Sequence, residues 1–365
     1  MASTLRAWWY GIGRTPTAKE IEFAATHYAV VVLNSWEVTA MRRLKTLNPA
    51  IKVLTYKCLS STRNYSGAVV NGKDAKYLPS GLGYVASKPE WFALDTSSRR
   101  IQWNGYPGHW QMAVWESAYQ DAWVANVLAE VKREGWDGIL ADNDMYSLQW
   151  YSSARLKGTA SPSATDKVIR DGLAVLVGKI GTACNAAGKI FVPNISESHV
   201  QAGRWAEHSR YGGMEENFAM RQPNGILSFF GTEINEVIAQ AKAGTSWQLL
   251  LTHKNSTLDE TTGFACAALV AGTKTCWYAP TTGDYSRADW SALQDRDLGA
   301  PTGNAVKQSS GLWSRSFTRG WVVVNPTNKK ISVTPPRNLF NPDGTIATVR
   351  TLDIGDAMVC FTSRA

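Results

Sequence analysis

The sequence is poor in the residues that build metal, redox and disulfide sites. Its 365 residues include five histidines and five cysteines. The cysteine count is odd and no pair has the CxxC spacing, which supports neither a disulfide framework nor a structural zinc site. Five scattered histidines do not favour a multi-histidine metal site. We therefore expect no metal and no cofactor.

Motifs of several other protein classes are also missing. There is no GxSxG, no HExxH and no phosphate-binding loop, and Gly11-Ile-Gly13 lacks the third glycine of a dinucleotide-binding loop. No apolar stretch approaches the roughly 18 residues that cross a bilayer. The N-terminus lacks the regions of a signal peptide. We expect no membrane span and a protein that is cytoplasmic as synthesised.

The net charge is +8, which raises the question of an anionic partner. The basic residues are scattered, and their longest run is Arg42 and Arg43 with Lys45 nearby. Phosphate binding is favoured by clustered charge, so we expect no nucleic acid partner. Attraction to an anionic cell surface explains the charge equally well. DNA binding that weakens steeply with salt remains a minor hypothesis.

Aromatic residues are abundant, with 16 tryptophans and 13 tyrosines. Aromatic faces pack well against the apolar C–H patches of sugar rings, but tryptophan also fills large cores. The count alone gives only weak support to a carbohydrate partner.

Eight short apolar runs alternate with helical patterns along the chain. Near-continuous apolar runs are typical of parallel strands that are covered on both faces. Eight such units over roughly 280 residues favour a (β/α)8 TIM barrel over an open doubly wound sheet. The predicted strands are Leu5–Gly11, Ala29–Asn34, Ile51–Lys57, Asp137–Asp142, Lys189–Asn194, Tyr211–Glu216, Trp247–His253 and Thr273–Ala279.

The helical patterns have recognisable starts and stops. Thr17 and Glu20 have the spacing of a capping box and precede the apolar stripe Ile21, Ala24 and Ala25. Further helices are predicted at Val38–Leu47, Asp121–Glu134, Ala164–Ile180, Glu233–Ala243 and Asp259–Ala271.

The chain is expected to form two domains. Residues 1–301 would form the barrel, and residues 302–365, with short strand patterns and turns, a small antiparallel β-sandwich-like domain. The connection after strand three, residues 58–118, is too long for a plain loop and should be a structured excursion over the barrel mouth. Its aromatic residues either contact substrate or pack the excursion onto the barrel; they are Trp103, His109, Trp110 and Trp115.

Carboxylates end two of the predicted barrel strands. In barrels of this kind, polar residues at the C-terminal strand ends carry function. Asp142 ends strand four, and Glu215 and Glu216 end strand six. Glycosidic cleavage needs two such groups, one to protonate the leaving oxygen and one to attack or to activate water. Glu216 is favoured as Asp142's partner because the chain leaves the strand directly after it, and Glu215 is the alternative.

Other residues near strand ends are candidate substrate contacts. Adjacent side chains on a strand point to opposite sides, so only about half of the neighbouring aromatics can face inward. The candidates are Trp9, Trp36, Tyr56, Lys57, Asp95, Trp103, Asp144, Asn194, His253 and Trp277.

Seven segments carry a family resemblance: Val31–Glu37, Asn48–Lys57, Trp91–Asp95, Tyr119–Trp123, Asp137–Asn143, Gly213–Phe218 and Arg315–Pro326. They resemble the barrel glycosidases called glycosyl-hydrolase-like family 15, and more distantly the endo-galactosaminidase-like family 114. The resemblance implies a retaining arrangement with Asp142 as nucleophile and Glu216 as acid/base; an inverting reaction would use them as base and acid. Phage-encoded proteins that attack host cell-wall glycans are among the members without signal peptides. This implies a bacterial surface glycan as substrate, and a protein that is associated with a virion or released by lysis.

We therefore interpret the chain as a glycoside hydrolase that acts on a poly- or oligosaccharide. The alternative is a non-catalytic glycan-binding module on a barrel scaffold, such as a phage tail or adhesion component. The sequence leaves open the sugar, the linkage, endo or exo action and the oligomeric state.

Overall fold

The computed structural model describes residues 5–231, 233–243, 246–254, 256–271 and 276–364. Its main element is a closed barrel of eight strands, which confirms the predicted fold class. In order around the barrel, the strands are β1-β8-β7-β6-β5-β4-β3-β2. Their bounds are β1 (Arg6–Gly11), β2 (Val30–Leu33), β3 (Lys52–Cys58), β4 (Gly138–Asp144), β5 (Ile190–Ile195), β6 (Gly212–Glu215), β7 (Trp247–His253) and β8 (Cys276–Thr281).

The barrel strands form where the apolar runs predict them, because both faces of a parallel sheet are covered. All residues of β2 and β6 are buried. The last strand differs from its predicted span, Thr273–Ala279. It continues to Thr281, and residues 273–275 lie outside the described residues. Trp277 is consequently near the start of this strand rather than near its end.

An α-helix follows each strand from β1 to β7, and a 3-10 helix, Ala292–Asp295, follows β8. The capping box at Thr17 is confirmed: the Glu20 amide donates to the Thr17 hydroxyl, and the Glu20 carboxylate accepts from the Thr17 amide. No helix within the described ranges is long and apolar enough to span a membrane. The helices are α1 (Ala18–His27), α2 (Val38–Leu47), α3 (Ser117–Glu134), α4 (Pro162–Ala186), α5 (Arg204–His208), α6 (Glu233–Ala243) and α7 (Thr257–Val270).

The chain divides into two compact units. One consists of Val31–Glu197 and Glu207–Gly213, and the other of Met1–Val30, Ser198–Ala206 and Met214–Ala365. We refer to them as the Val31 unit and the Met214 unit. The boundary expected near residue 302 stays a prediction.

The connection between β3 and α3 belongs to the Val31 unit and has secondary structure of its own. Ser61–Arg63 pairs antiparallel with His109–Gln111, and Val69–Val70 pairs with Lys73–Asp74. A short 3-10 helix, Pro89–Trp91, lies in the chain between Asp74 and His109. The ladder of Ser61–Arg63 with His109–Gln111 joins the two ends of the connection.

The C-terminal strands belong to the Met214 unit and form two antiparallel sheets. The larger has the order β9-β10-β11-β14 and the smaller pairs β12 with β13. Helix α7 packs against strands β11 and β14. The strands are β9 (Val306–Lys307), β10 (Trp313–Phe317), β11 (Gly320–Val324), β12 (Ile331–Val333), β13 (Arg350–Leu352) and β14 (Ala357–Phe361). Side chains from both sheets and from the adjoining loops share one core, namely Leu312, Trp321, Val323, Val333, Leu339, Leu352, Met358 and Cys360.

Arg315 on β10 ties these strands to the end of α7. Its Nη1 donates to the carbonyls of Ala268, Leu269 and Ala271, at 3.0, 3.0 and 2.7 Å. A cation at a helix C-terminus also interacts favourably with the helix dipole. We expect Arg315→Met to lower the free energy of unfolding by about 2–3 kcal/mol, since a charged donor is lost.

Urea unfolding followed by tryptophan fluorescence measures this effect. Arg337→Met, at an exposed arginine, is the control and should change the free energy by less than about 0.5 kcal/mol. Equal midpoints for the two variants would show that Arg315 does not anchor the helix end.

Candidate active site

Asp142 lies where strand β4 loses its regular register with β5. Ala141 pairs with Pro193, but the next pair is Asp144 with Ile195, so β4 contains an extra residue. Asn143, next to Asp142, has a φ of 62°, a left-handed conformation that asparagine tolerates better than most residues. Such bulges redirect side chains at the rims of barrels. The Asp142 side chain is half-buried.

Four donors bind the Asp142 carboxylate, and three of them come from neighbouring side chains. The Tyr56 hydroxyl donates at 2.6 Å, and the side-chain amide of Asn194 at 2.9 Å. Asn143 donates from its backbone at 2.8 Å and its side chain at 3.0 Å. Burial, and then the Asp142 charge, hold the pKa of Tyr56 well above its usual value, so Tyr56 remains a donor. Both carboxylate oxygens therefore act as acceptors, as an ionised carboxylate does.

Glu216 lies in the Met214 unit, directly after strand β6. The Tyr285 hydroxyl donates to its Oε1 at 2.5 Å and lies 3.4 Å from the Nε2 of His253. The Tyr10 ring packs on Tyr285 with 5.0 Å between centroids. Burial lowers the pKa of His253, which favours its neutral form. Glu216 is half-buried, so it combines a fixed position with access to solvent.

Glu215 has a different environment from Glu216. It is the last residue of β6 and is 3% exposed. Its carboxylate accepts from the Ser198 hydroxyl and, at 3.1 Å, from the Asn217 amide. The two adjacent carboxylates thus have separate partners, and the choice between them as acid/base stays a prediction.

Two of the charged candidates have buried polar partners within the Val31 unit. Asp144 is fully buried, and the His208 Nδ1 lies 2.5 Å from its Oδ2. Lys57 is 1% exposed, and its ammonium group lies 2.8 Å from the Glu130 carboxylate on α3. Desolvation, partly offset by Glu130, lowers the pKa of Lys57. Both side chains therefore have partners inside the fold rather than open positions for a substrate.

Three candidate tryptophans are buried, and each packs on another aromatic ring. Trp9 stacks on Tyr28, and its Nε1 donates to the Arg287 carbonyl at 2.8 Å. Trp277 stacks on Trp247, at 4.5 Å and 5°. In the Val31 unit, Trp103 stacks on Tyr151, at 4.2 Å and 17°.

The remaining candidates are more accessible. Trp36, which follows β2, is 45% exposed. Asp95 is half-buried and accepts hydrogen bonds from the backbone of Ser97 and Arg99. Because these bonds order its own loop, Asp95 has a structural role in the excursion.

The structure thus brings Asp142, Tyr56 and Asn194 together in one unit, and Glu216 and His253 together in the other. Sequence reasoning did not select Tyr285 or Asn143 and did not favour Tyr10 over its neighbours. Tyr285 lies in a loop with no strand pattern of its own. The one available signal was its position just after strand β8, where loops of the catalytic face begin. No group of three or more metal-ligating side chains is found in the part of the chain that the structure describes.

The fold is similar to that of barrel glycosidases of known structure. An alpha-amylase from Malbranchea cinnamomea has a TM-score of 0.53 and 10% identity, covering 98% of this chain and 96% of that one. An alpha-amylase from Geobacillus thermoleovorans has a TM-score of 0.51 and 10% identity, covering 98% of each chain. A maltogenic alpha-amylase from Thermotoga neapolitana has a TM-score of 0.51 and 10% identity, covering 99% of this chain and 97% of that one. At such low identity, the likeness concerns the fold alone.

The amino-acid sequence of the chain shows its family. The model described as hypothetical glycosyl hydrolase family 15 matches residues 45–321. This match covers most of the chain, which therefore belongs to that family and is a glycoside hydrolase. No curated protein matches the chain in sequence. The family assignment confirms the expected resemblance and favours an enzyme over a non-catalytic glycan-binding module.

The buried ion pair of Lys57 gives a test of its structural role. Lys57→Met would leave the Glu130 carboxylate buried without its cation, so we expect a loss of about 3–5 kcal/mol in the free energy of unfolding. The double variant Lys57→Met, Glu130→Leu should recover most of that loss. Chemical denaturation of the single and double variants measures both quantities.

The control is the ion pair between Lys179 and Asp121, whose side chains are 32% and 65% exposed. Lys179→Met should cost less than about 1 kcal/mol, since water screens exposed pairs. If Lys57→Met lowered the free energy of unfolding no more than Lys179→Met, burial would not determine how much the pair between Lys57 and Glu130 contributes to stability.

Proposed function

We propose that this enzyme hydrolyses an O-glycosidic bond of a bacterial surface or cell-wall glycan by a retaining mechanism that uses Asp142 and Glu216. The observation that carries the proposal is the set of four hydrogen bonds that hold the Asp142 carboxylate near the end of β4. A nucleophilic carboxylate must be ionised and fixed before it attacks.

In the first step, an Asp142 oxygen would form a bond to the anomeric carbon while the bond to the leaving oxygen breaks. Glu216 would donate its proton to that oxygen. In the second step, Glu216 would take a proton from water, which attacks the anomeric carbon and releases Asp142. Over the two steps one water molecule is consumed and Glu216 regains its proton.

The neighbours of each carboxylate support these different roles. Donors from Tyr56, Asn143 and Asn194 surround Asp142 and stabilise its negative charge. Glu216 accepts a hydrogen bond from the Tyr285 hydroxyl and keeps contact with solvent. A group that must exchange a proton with the leaving oxygen and with water benefits from this access.

The substrate class rests on charge. The net charge of +8 favours an enzyme that works at a polyanionic surface, and bacterial envelopes carry phosphate and carboxylate groups. The family resemblance points to the same source.

An activity panel tests the proposal. The enzyme is incubated with solubilised peptidoglycan, wall teichoic acid, capsular polysaccharide and exopolysaccharide, and released reducing ends are measured. We expect at least one to be cleaved, and NMR of the fresh product should show the anomeric form of the substrate. A product of inverted anomeric configuration would contradict the retaining mechanism but would still show that the protein is a hydrolase of that glycan.

Substitution of the two carboxylates tests their roles. Asp142→Asn and Glu216→Gln should each lower kcat by about 10²- to 10⁴-fold, because each removes a group that acts in the transition state. Asp95→Asn, at a carboxylate that orders its own loop, is the control and should retain activity. Full loss in Glu215→Gln with an active Glu216→Gln would transfer the acid/base role to Glu215.

The Tyr56 hydroxyl gives a further prediction. Tyr56→Phe removes one donor from Asp142 without changing the ring, so kcat should fall by about 10- to 100-fold. Tyr28→Phe is a matched control, since the Tyr28 hydroxyl is also buried and donates to the Asp289 carbonyl at 2.7 Å. Steady-state kinetics on the cleaved polysaccharide separates the two, and equal rates would argue against a role for Tyr56.

A further inference from the structure

Tyr106, at the tip of the excursion, exposes an aromatic ring in a fixed position. The residue is 49% exposed. Its ring packs against the rings of Trp103, His109 and Tyr151, with centroid distances of 6.3, 5.4 and 5.8 Å. These contacts are tilted or edge-on, at 81°, 59° and 64°. The ring is therefore supported from the protein side while much of it faces solvent.

The backbone of this tip is also well ordered. Trp103 and His109 are joined by a hydrogen bond from the Trp103 amide to the His109 carbonyl at 2.9 Å, and the His109 amide donates to the Tyr106 carbonyl at 3.1 Å. Gly105 and Gly108 adopt φ values of 74° and 77°, which side chains rarely allow. The turn thus fixes the direction in which Tyr106 projects.

The rings beneath Tyr106 form a rigid, mostly uncharged base. Trp103 and Tyr151 are stacked, and the Trp103 Nε1 donates to Gln111 at 2.9 Å. Burial, and then the nearby Arg63 cation, lower the pKa of His109 to about 4. His109 is consequently neutral at pH 7 and packs as an apolar ring.

A short chain of hydrogen bonds connects this cluster to Asp142 within the Val31 unit. The Asn104 amide donates to the Tyr151 carbonyl at 2.6 Å. The Tyr151 hydroxyl donates to the Asn143 Oδ1 at 2.9 Å, and the Asn143 side-chain amide donates to Asp142 at 3.0 Å. Tyr151 therefore contacts both the exposed ring and Asn143, which is one of the residues that position the carboxylate.

We propose that the Tyr106 ring is a stacking platform for one sugar residue of a glycan chain whose scissile bond lies at Asp142. This inference rests on the proposed function and extends it, because a second contact point favours a chain of several sugars and cleavage within it. A ring that is already held in place loses little conformational freedom on binding. More of the free energy of its contact with the sugar therefore contributes to affinity. The apolar C–H face of a pyranose matches an aromatic surface without needing a charged partner.

Affinity electrophoresis tests the contact without requiring turnover. The full chain is run through native gels that contain each of the four polysaccharides of the activity panel. We expect the wild-type protein, Tyr106→Phe and Asp142→Asn to be retarded in the gel whose polysaccharide is cleaved. Tyr106→Ala should bind about tenfold more weakly, because the ring is lost.

Two further variants control for local unfolding. Tyr106→Leu keeps apolar packing at the tip but lacks a flat ring, and should bind as weakly as Tyr106→Ala. Val175→Ala removes an equally exposed apolar side chain, 51% exposed, from helix α4 and should bind like the wild type. Equal retardation of Tyr106→Leu, Tyr106→Ala and wild type would overturn the inference.

Kinetics on size-fractionated fragments provides a second readout. The rise in KM caused by Tyr106→Ala should be about tenfold on long chains and absent on the shortest cleaved fragment. A wrong catalytic assignment and a wrong platform give different results.

If Asp142→Asn still cleaved the polysaccharide while Tyr106→Ala lost binding, the platform at Tyr106 would stand and the catalytic role of Asp142 would be wrong. If no polysaccharide retarded the wild-type protein, the platform would be refuted.

Discussion

The hydrogen bonds onto the Asp142 carboxylate are the interactions that organise the strand ends of the Val31 unit. Their donors come from three places: Tyr56 on β3, Asn194 on β5 and the bulge at Asn143. A half-buried anion is stable only where donors replace the water it has lost. The bulge, the left-handed Asn143 and the buried phenol are therefore parts of one arrangement that fixes a single carboxylate.

The barrel was predictable because its sequence signal follows from its physics. Parallel strands under helices are buried on both faces, so each becomes an apolar run. The same reasoning placed Asp142 near the end of β4, which continues to Asp144, and brought Asp142, Asn194 and Tyr56 into one list, since strand ends share one rim of a barrel. The capping box of Thr17 was also readable, because it depends on two side chains three residues apart.

The orientation of individual side chains was not predictable to the same degree. Tyr56 and Lys57 are adjacent, and one contacts Asp142 while the other pairs with Glu130 on α3. Asp144 could not be assigned because the bulge breaks the alternation between it and Asp142. Trp277 lies near the start of its strand because β8 runs further along the chain than its apolar pattern indicates. Register, bulges and strand ends depend on tertiary packing that no local pattern records.

The number of tryptophans is a second feature whose meaning depends on tertiary packing. More than half of the sixteen tryptophans are buried, and Trp8, Trp123, Trp136 and Trp205 are completely enclosed. Their number therefore reflects mainly the filling of the core and says little about sugars. What distinguishes a binding ring from a core ring is that one side is supported and the other is open. Tyr106 has this property, because its ring packs on three other rings and is 49% exposed. The amino-acid composition does not show which rings have one open face.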